Sequence, residues 1–290
     1  MTETIFAVCR PKNDLVVKRI PLNAEVQADI GQIFRAQEAS FRTGIDEYIP
    51  YDGNYKPSFD ELLTLEGNQE LDFLLEQMTR NRVALEILDV NQVRQQKVKA
   101  ICSVFENDGQ SVLLIQKFKQ NQILSTRRAL FKHGNEFRRL SGDVIGIADS
   151  LCAIYEGRVL KFRSASVLRS VVTMKQIYME ATEPEVRNFA RLDIFLIENE
   201  DEFVSNTNQI TRSLLHSITQ KRVLDDCDIN RIVEIGGLLN LAVETRNGRL
   251  VVPRDKRELK AFLQLLNENR YSGLITEKLY VSNSQREIPI

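Results

Sequence analysis

The chain has 290 residues, is 43% hydrophobic and 27% charged, and carries a formal net charge of −1. This composition excludes intrinsic disorder, which needs low hydrophobicity with high net charge, and it suits one large domain or two smaller ones. Apolar runs such as VLLI at 112–115 are far too short to span a bilayer, and the opening MTETIFAVCRPKND lacks the features of a secretory signal, so the expected location is cytoplasmic.

The first elements are a pair of strands, TIFAVCR and DLVVKRIPL, meeting around Pro11 to Asp14. Asn23 is placed to cap a helix whose apolar residues Val26, Ile30, Ile33, Phe34 and Phe41 recur at helical spacing. The polar stretch IDEYIPYDGNYKPSFDE, with Pro50, Gly53 and Pro57, reads as a loop, and LDFLLEQM at 71–78 as a short helix. From 97 to 164 the character changes. KVKAICSVFEN and QSVLLIQKF flank Asn107-Asp108-Gly109, RALFK and EFRRL flank His133-Gly134-Asn135, and SLCAIYEGRVLKFRS folds on itself near Glu156-Gly157.

The remainder is mainly helical. Residues 203–224 predict one helix with Phe203, Thr207, Ile210, Leu214 and Ile218 along a face, and Lys221 and Arg222 at its C-terminal end. A second helix starts near Ile229, and Arg246-Asn247-Gly248 turns into the strand RLVV. A third helix opens with Asp255 and Glu258 and buries Leu259, Phe262, Leu263 and Leu266. The expected fold is α+β: a mainly antiparallel sheet in the middle of the chain flanked by helices, then a helical C-terminal part with a terminal hairpin. Residues 1–93 are expected to form an N-terminal α+β region, with 94–164 β-rich and 165–290 mainly helical.

Chemistry is hard to find in the sequence. Cys9, Cys102, Cys152 and Cys227 stand alone in or near apolar runs, without the CxxC spacing of a zinc site, and read as reduced thiols. There is no phosphate-cradling GxxxxGK[ST], no GxGxxG and no GxSxG, and Gly236-Gly237 reads as a helix break or a close-packing site. His133 and His216 have no nucleophile motif beside them. A metal-dependent nuclease would need clustered carboxylates. The candidates are Glu258-Leu259-Lys260, the group Asp225, Asp226 and Asp228, and the group Glu198, Glu200, Asp201 and Glu202, and each is more simply read as a helix start or a solvated loop. No catalytic residue, metal site or cofactor is expected.

Charge placement is the strongest physical signal. Residues 94–175 hold 15 Lys or Arg against 6 Asp or Glu, a local charge of +9, while the rest of the chain carries −10. Within the region, Lys97 and Lys99, Lys117 and Lys119, and Lys161 and Arg163 are spaced i, i+2, which on a strand puts each pair on one face. Arg127, Arg128, Lys132, Arg138 and Arg139 crowd around one predicted hairpin. Phosphate backbones reward such cations by releasing condensed counterions. Charge alone leaves two readings: sequence-independent nucleic-acid binding through these nine Lys and Arg positions from 97 to 139, or a surface whose cations pair with the acidic remainder of the chain.

One resemblance bears on that choice. The order within FKHGNEFRRLSGDVIGIADSLCAIYEGRVLKFRSASVLRSVV, followed by the closing LKAFLQLLNENRYSGLITEKLYVSNSQREI, resembles the KwaB-like family of the bacterial Kiwa anti-phage system over residues 115–290. The family passage of Leu-Leu-Asn followed by Leu-Thr-x-x-x-Tyr is matched by Leu265, Leu266 and Asn267, then Ile275, Thr276 and Tyr280, with Glu277 in place of the usual small residue. The resemblance implies a cytosolic DNA-binding effector without a catalytic centre, working beside a membrane-embedded KwaA-like partner to obstruct phage DNA replication and expression. The alternatives are a divergent metal-dependent nuclease and a basic adaptor docking on a membrane protein. The apolar helix faces suggest a homodimer.

Overall fold

The computed structural model describes the chain except for residues 1–3, 12–13, 54, 125–129, 140–143, 173–179, 226, 274, 283 and 287–290. The fold is α+β, and the chain divides into two compact units, 1–51 with 57–174 and 52–56 with 175–290.

The first unit contains β1 (Thr4–Cys9), β2 (Val16–Arg19), α1 (Ala24–Arg42), β3 (Glu47–Pro50), β4 (Glu61–Glu66), α2 (Gln69–Thr79), β5 (Val98–Asn107), β6 (Gln110–Lys117), β7 (Ile123–Leu124), β8 (Leu130–His133), β9 (Glu136–Arg139), β10 (Val144–Ile145), β11 (Ala153–Glu156), β12 (Val159–Phe162) and α3 (Ala165–Leu168). Among the described residues, eight of these strands form one sheet in the order β2-β1-β5-β6-β11-β12-β4-β3. Every pairing in it is antiparallel except β3 with β4. Strands on both sides of the expected 93/94 division therefore share one sheet.

The turns explain the meander. Asp108 and Gly109 both take positive φ, of 50° and 75°, between β5 and β6, as a two-residue turn matched to strand twist requires. Gly157 and Arg158, at 54° and 64°, do the same between β11 and β12, one residue later than the sequence suggested. The sheet is covered on both faces. Ile5, Ala7, Ile101, Leu114 and Ile154 pack with Phe34 and Phe41 of α1. Tyr155, one residue on from Ile154 and so on the opposite face, donates its hydroxyl proton to Asp72 of α2 at 2.5 Å. Burial on both faces is why the central strands read as apolar runs rather than alternations.

Two expectations need correction here. The loop over 45–61 contains β3 and ends in β4, a parallel pair with Glu47 opposite Glu61 and Pro50 opposite Thr64. Proline is tolerated there because β3 is an edge strand. On α1, Asn23 caps as expected, accepting from the Val26 amide at 2.8 Å, but Val26 and Ile33 are exposed and Gln37 is buried. Gln37 donates to the Ala148 carbonyl at 2.7 Å and accepts from Gln116 of β6, so a satisfied polar pair replaces the aliphatic contact.

The second unit contains α4 (Glu183–Ala190), β13 (Phe195–Leu196), α5 (Glu200–Asn206), α6 (Gln209–Gln220), α7 (Ile229–Leu238), β14 (Thr245–Arg246), β15 (Arg249–Val251), α8 (Lys256–Leu266), β16 (Arg270–Ser272) and β17 (Leu279–Val281). Its core joins Phe189, Phe195, Phe203, Leu215, Ile218, Phe262 and Leu263. The single helix expected over 203–224 is two, α5 and α6. Asn208 breaks it by accepting from the amides of Ile210 at 3.0 Å and Thr211 at 3.1 Å, a helix start that leaves Ile210 exposed. The expected terminal hairpin is present as β16 and β17, and RLVV supplies β15.

Candidate nucleic-acid interface

The start of β5 and the end of β6 lie side by side at one end of the large sheet. Ala100 sits opposite Lys117, and the Phe118 amide donates to the Lys99 carbonyl at 2.8 Å. Lys97, Lys99, Lys117 and Lys119 are therefore gathered at one place, though not by the alternation their spacing suggested. Val8 pairs with Ala100 and Cys9 with Val98, which makes Lys99 the extra residue of a β-bulge, and Lys97, just before the strand, has a φ of 51°. Lys119 lies beyond β6, at the start of a short 3-10 turn. Bulges and strand ends re-aim side chains, so the i, i+2 rule does not apply to these pairs.

Lys97 and Lys119 are exposed, and Lys99 and Lys117 are half-buried. Among the described residues no carboxylate pairs with any of the four. Lys117 also reaches Cys152 electrostatically. Burial, the larger effect, pushes that thiol up to about 12, and the lysine opposes the shift. Lys161 and Arg163 are engaged elsewhere: Lys161 pairs with Glu156, and Arg163 donates to the Phe59 carbonyl at 2.5 Å.

The basic hairpin is formed by β8 and β9, with Gly134 at a φ of 63° in the turn. Lys132 stands directly opposite Phe137, and both are exposed. Arg138 is exposed and pairs with Glu136 at 2.5 Å, its neighbour two residues back along the strand. Arg139 ends β9, and Arg127 and Arg128 lie outside the described residues. Sequence reasoning passed over Phe137. Its signal is the register that places a bare aromatic ring across from a lysine.

The other candidate chemistry resolves differently. All four cysteines are free, and among the described residues no group of three or more His, Cys, Asp or Glu is arranged to hold a metal ion. Glu258 lies in the first turn of α8, where the Asp255 side chain takes the Arg257 and Glu258 amides at 2.8 and 3.1 Å. Glu200 binds Arg187 and Arg191, and Glu198 binds Arg246 and Arg254. Gly236 is the close-packing site: an ideal Cβ there would lie 2.5 Å from Val243 Cγ2. Among the described residues no helix is long and apolar enough to cross a membrane.

Fold and site together define an α+β protein that gathers four lysines at a sheet end with no carboxylate paired to them among the described residues. The family model described as Kiwa protein KwaB-like matches residues 95–276, well over half of the chain, and the chain belongs to that family. Membership implies a role in Kiwa anti-phage defence. No curated protein and no solved structure matches the chain. Just past the matched range, Glu277 takes a φ of 54°, a left-handed conformation in which a residue without a Cβ is unstrained. Thr276 and Tyr280 share a hydrogen bond of 3.0 Å across the same turn.

Proposed function

We propose that this KwaB-like chain is a non-enzymatic DNA-binding effector of Kiwa defence that obstructs phage DNA replication and expression by occupying the DNA. Phosphates are met by Lys97, Lys99, Lys117 and Lys119 at the sheet end and by Arg127, Arg128, Lys132, Arg138 and Arg139 around the hairpin. The observation that supports this reading is the gathering of four lysines at one sheet end with no carboxylate paired to them among the described residues. Backbone phosphates are the same in every sequence, so binding is sequence-independent. Phe137 adds a ring that can stack on an unpaired base. The chain acts in the cytoplasm beside a membrane-embedded KwaA-like partner and as a homodimer, which doubles the phosphate contacts on one DNA molecule.

A salt titration of purified chain with fluorescent duplexes of unrelated sequence, partner absent, tests the reading. Affinity should fall by orders of magnitude between about 50 and about 200 mM salt, alike for every sequence. Lack of binding at low salt overturns the proposal. So does cleavage of plasmid in Mg²⁺ or Mn²⁺ that is lost on replacing a carboxylate cluster.

A further inference from the structure

The second unit holds a cleft of about 540 Å³ lined by none of the residues proposed to meet DNA. It opens beyond the carboxyl ends of β13 and β15, which run parallel, with Phe195 opposite Leu250. From there β13 passes through Glu198 and Asn199 into α5, and β15 passes through Pro253 and Arg254 into α8. Chains diverging from the ends of parallel strands leave the crevice in which α/β sheets hold ligands. The walls are fixed. The Val252 amide donates to the Leu196 carbonyl at 3.2 Å, the Val251 amide to the Glu244 carbonyl at 2.9 Å, and Asn206 Nδ2 to the Arg254 carbonyl at 3.1 Å. Buried Phe203, Leu259 and Phe262 supply an apolar floor.

The sign of the ligand follows from the rim. Two helix N-termini at a crevice ordinarily invite an anion. Here side-chain caps occupy three of those first-turn amides: Asn199 accepts from the Glu202 amide at 3.1 Å, and Asp255 from the Arg257 and Glu258 amides. Glu202 and Glu258 occupy those first turns, and Glu244 faces the cleft from the segment before β14. Arg254, the cation of the lining, and Arg246 both go to Glu198. Among the described residues no cation pairs with Glu202, Glu244 or Glu258. The cleft thus offers an apolar floor under three uncompensated carboxylates on three different segments.

We infer that this cleft binds a short basic peptide in which apolar side chains alternate with lysine or arginine. The apolar side chain fills the floor, and cations spaced along a backbone reach carboxylates that stand on separate segments. The volume is in the range of pockets that enclose a ligand of a few residues.

The test uses the full chain and the tetrapeptide acetyl-LKFK-amide, followed by calorimetry and by amide chemical shifts. The peptide should bind, shift the amides of α5 and α8, and weaken by about tenfold or more in the triple variant Glu202→Gln, Glu244→Gln, Glu258→Gln. Ala242→Trp, at an exposed lining position that leaves the core alone, should block the cleft. Acetyl-LEFE-amide should not bind, and DNA affinity should be unchanged in the charge-neutral Ala242→Trp variant, which separates this site from the sheet end. The inference is overturned if acetyl-LKFK-amide does not bind, if the acidic peptide binds equally, or if the triple variant retains full affinity. Spermidine binding as tightly as the peptide would also overturn it, because the occupant would then be a free polyamine.

Discussion

The hydroxyl of Ser217 donates to the side-chain carbonyl of Asn267 at 2.7 Å, and both residues are buried. Ser217 lies on α6, and Asn267 ends α8. Asn267 passes a hydrogen bond to Asn269 at 2.7 Å, and Asn269 passes one to the Ser282 carbonyl, just past β17, at 2.6 Å. The asparagine of the Leu-Leu-Asn passage is therefore the polar joint between two helices and the terminal hairpin. Asn267→Ala strands the Ser217 hydroxyl and the Asn269 carbonyl in the core and should cost roughly 2–4 kcal/mol, against about 1 kcal/mol for Ser217→Ala. Hydrogen exchange at the α6 and α8 amides, with urea denaturation, reads both. Equal small effects would show that the chain of bonds does not hold these elements together.

Neighbouring glycines on α7 should respond in opposite ways. A Cβ on Gly236 meets Val243 Cγ2 at 2.5 Å and the Leu241 carbonyl at 3.3 Å, whereas a Cβ on Gly237 meets nothing within 4 Å. Gly236→Ala should destabilise by about 1–3 kcal/mol through overpacking. Gly237→Ala should be neutral or stabilise by up to about 1 kcal/mol through helix propensity. Denaturation midpoints of the two variants check this, and a matching loss in both would mean that the 241–243 segment does not press on the helix.

What was legible in the sequence was local. Asp108-Gly109 and Gly157 announce their turns because few residues accept positive φ, and Asn23 and Asp255 announce helix starts because their side chains take free amides. What was missed depends on distant partners. The apolar stripe from Phe203 to Ile218 runs straight through the cap at Asn208, so periodicity alone joined two helices. The strand β3 is four residues long and ends in proline, and it exists because β4 pairs with it in parallel. For the basic residues proposed to meet DNA, charge counting finds the lysines but not the bulge at Lys99, which depends on pairing with β1. The cleft of the second unit could not be read at all, since its walls come from segments some 60 residues apart in the chain.

Acid should loosen the first unit through Glu156. Arg42 binds both its oxygens, Nη1 to Oε1 at 2.9 Å and Nη2 to Oε2 at 2.5 Å, and Lys161 pairs with it as well. The hydrogen bonds from Arg42 are the largest cause holding its carboxyl down at about 2, against 4.5 for a free glutamate. A depressed carboxylate stabilises fully above its unfolded pKa, and that contribution is lost as pH falls from about 4.5 toward about 2. Glu156→Gln should be less stable by roughly 1–2 kcal/mol at pH 7 and should lose less than the parent between pH 5 and pH 3. Urea midpoints at several pH values measure the difference. Parallel pH profiles would assign the acid sensitivity to other carboxylates.

The two basic clusters should separate in DNA binding. Lys117→Gln with Lys119→Gln removes two cations from the sheet end, so affinity should fall for every sequence and the log–log salt slope should shrink by about 0.9 for each lysine that meets a phosphate. The hairpin makes the opposite prediction available. Arg138 is held by Glu136 at 2.5 Å on the same strand, and both side chains are exposed. Glu136→Gln frees that guanidinium and removes an anion that repels phosphate, so binding should tighten by about two- to fivefold at low salt and the gain should vanish as salt rises. Anisotropy titrations of the variants on one duplex at several salt concentrations read both effects. Unchanged binding by Glu136→Gln at low salt would mean that the hairpin does not face the DNA, leaving the sheet-end lysines as the contact.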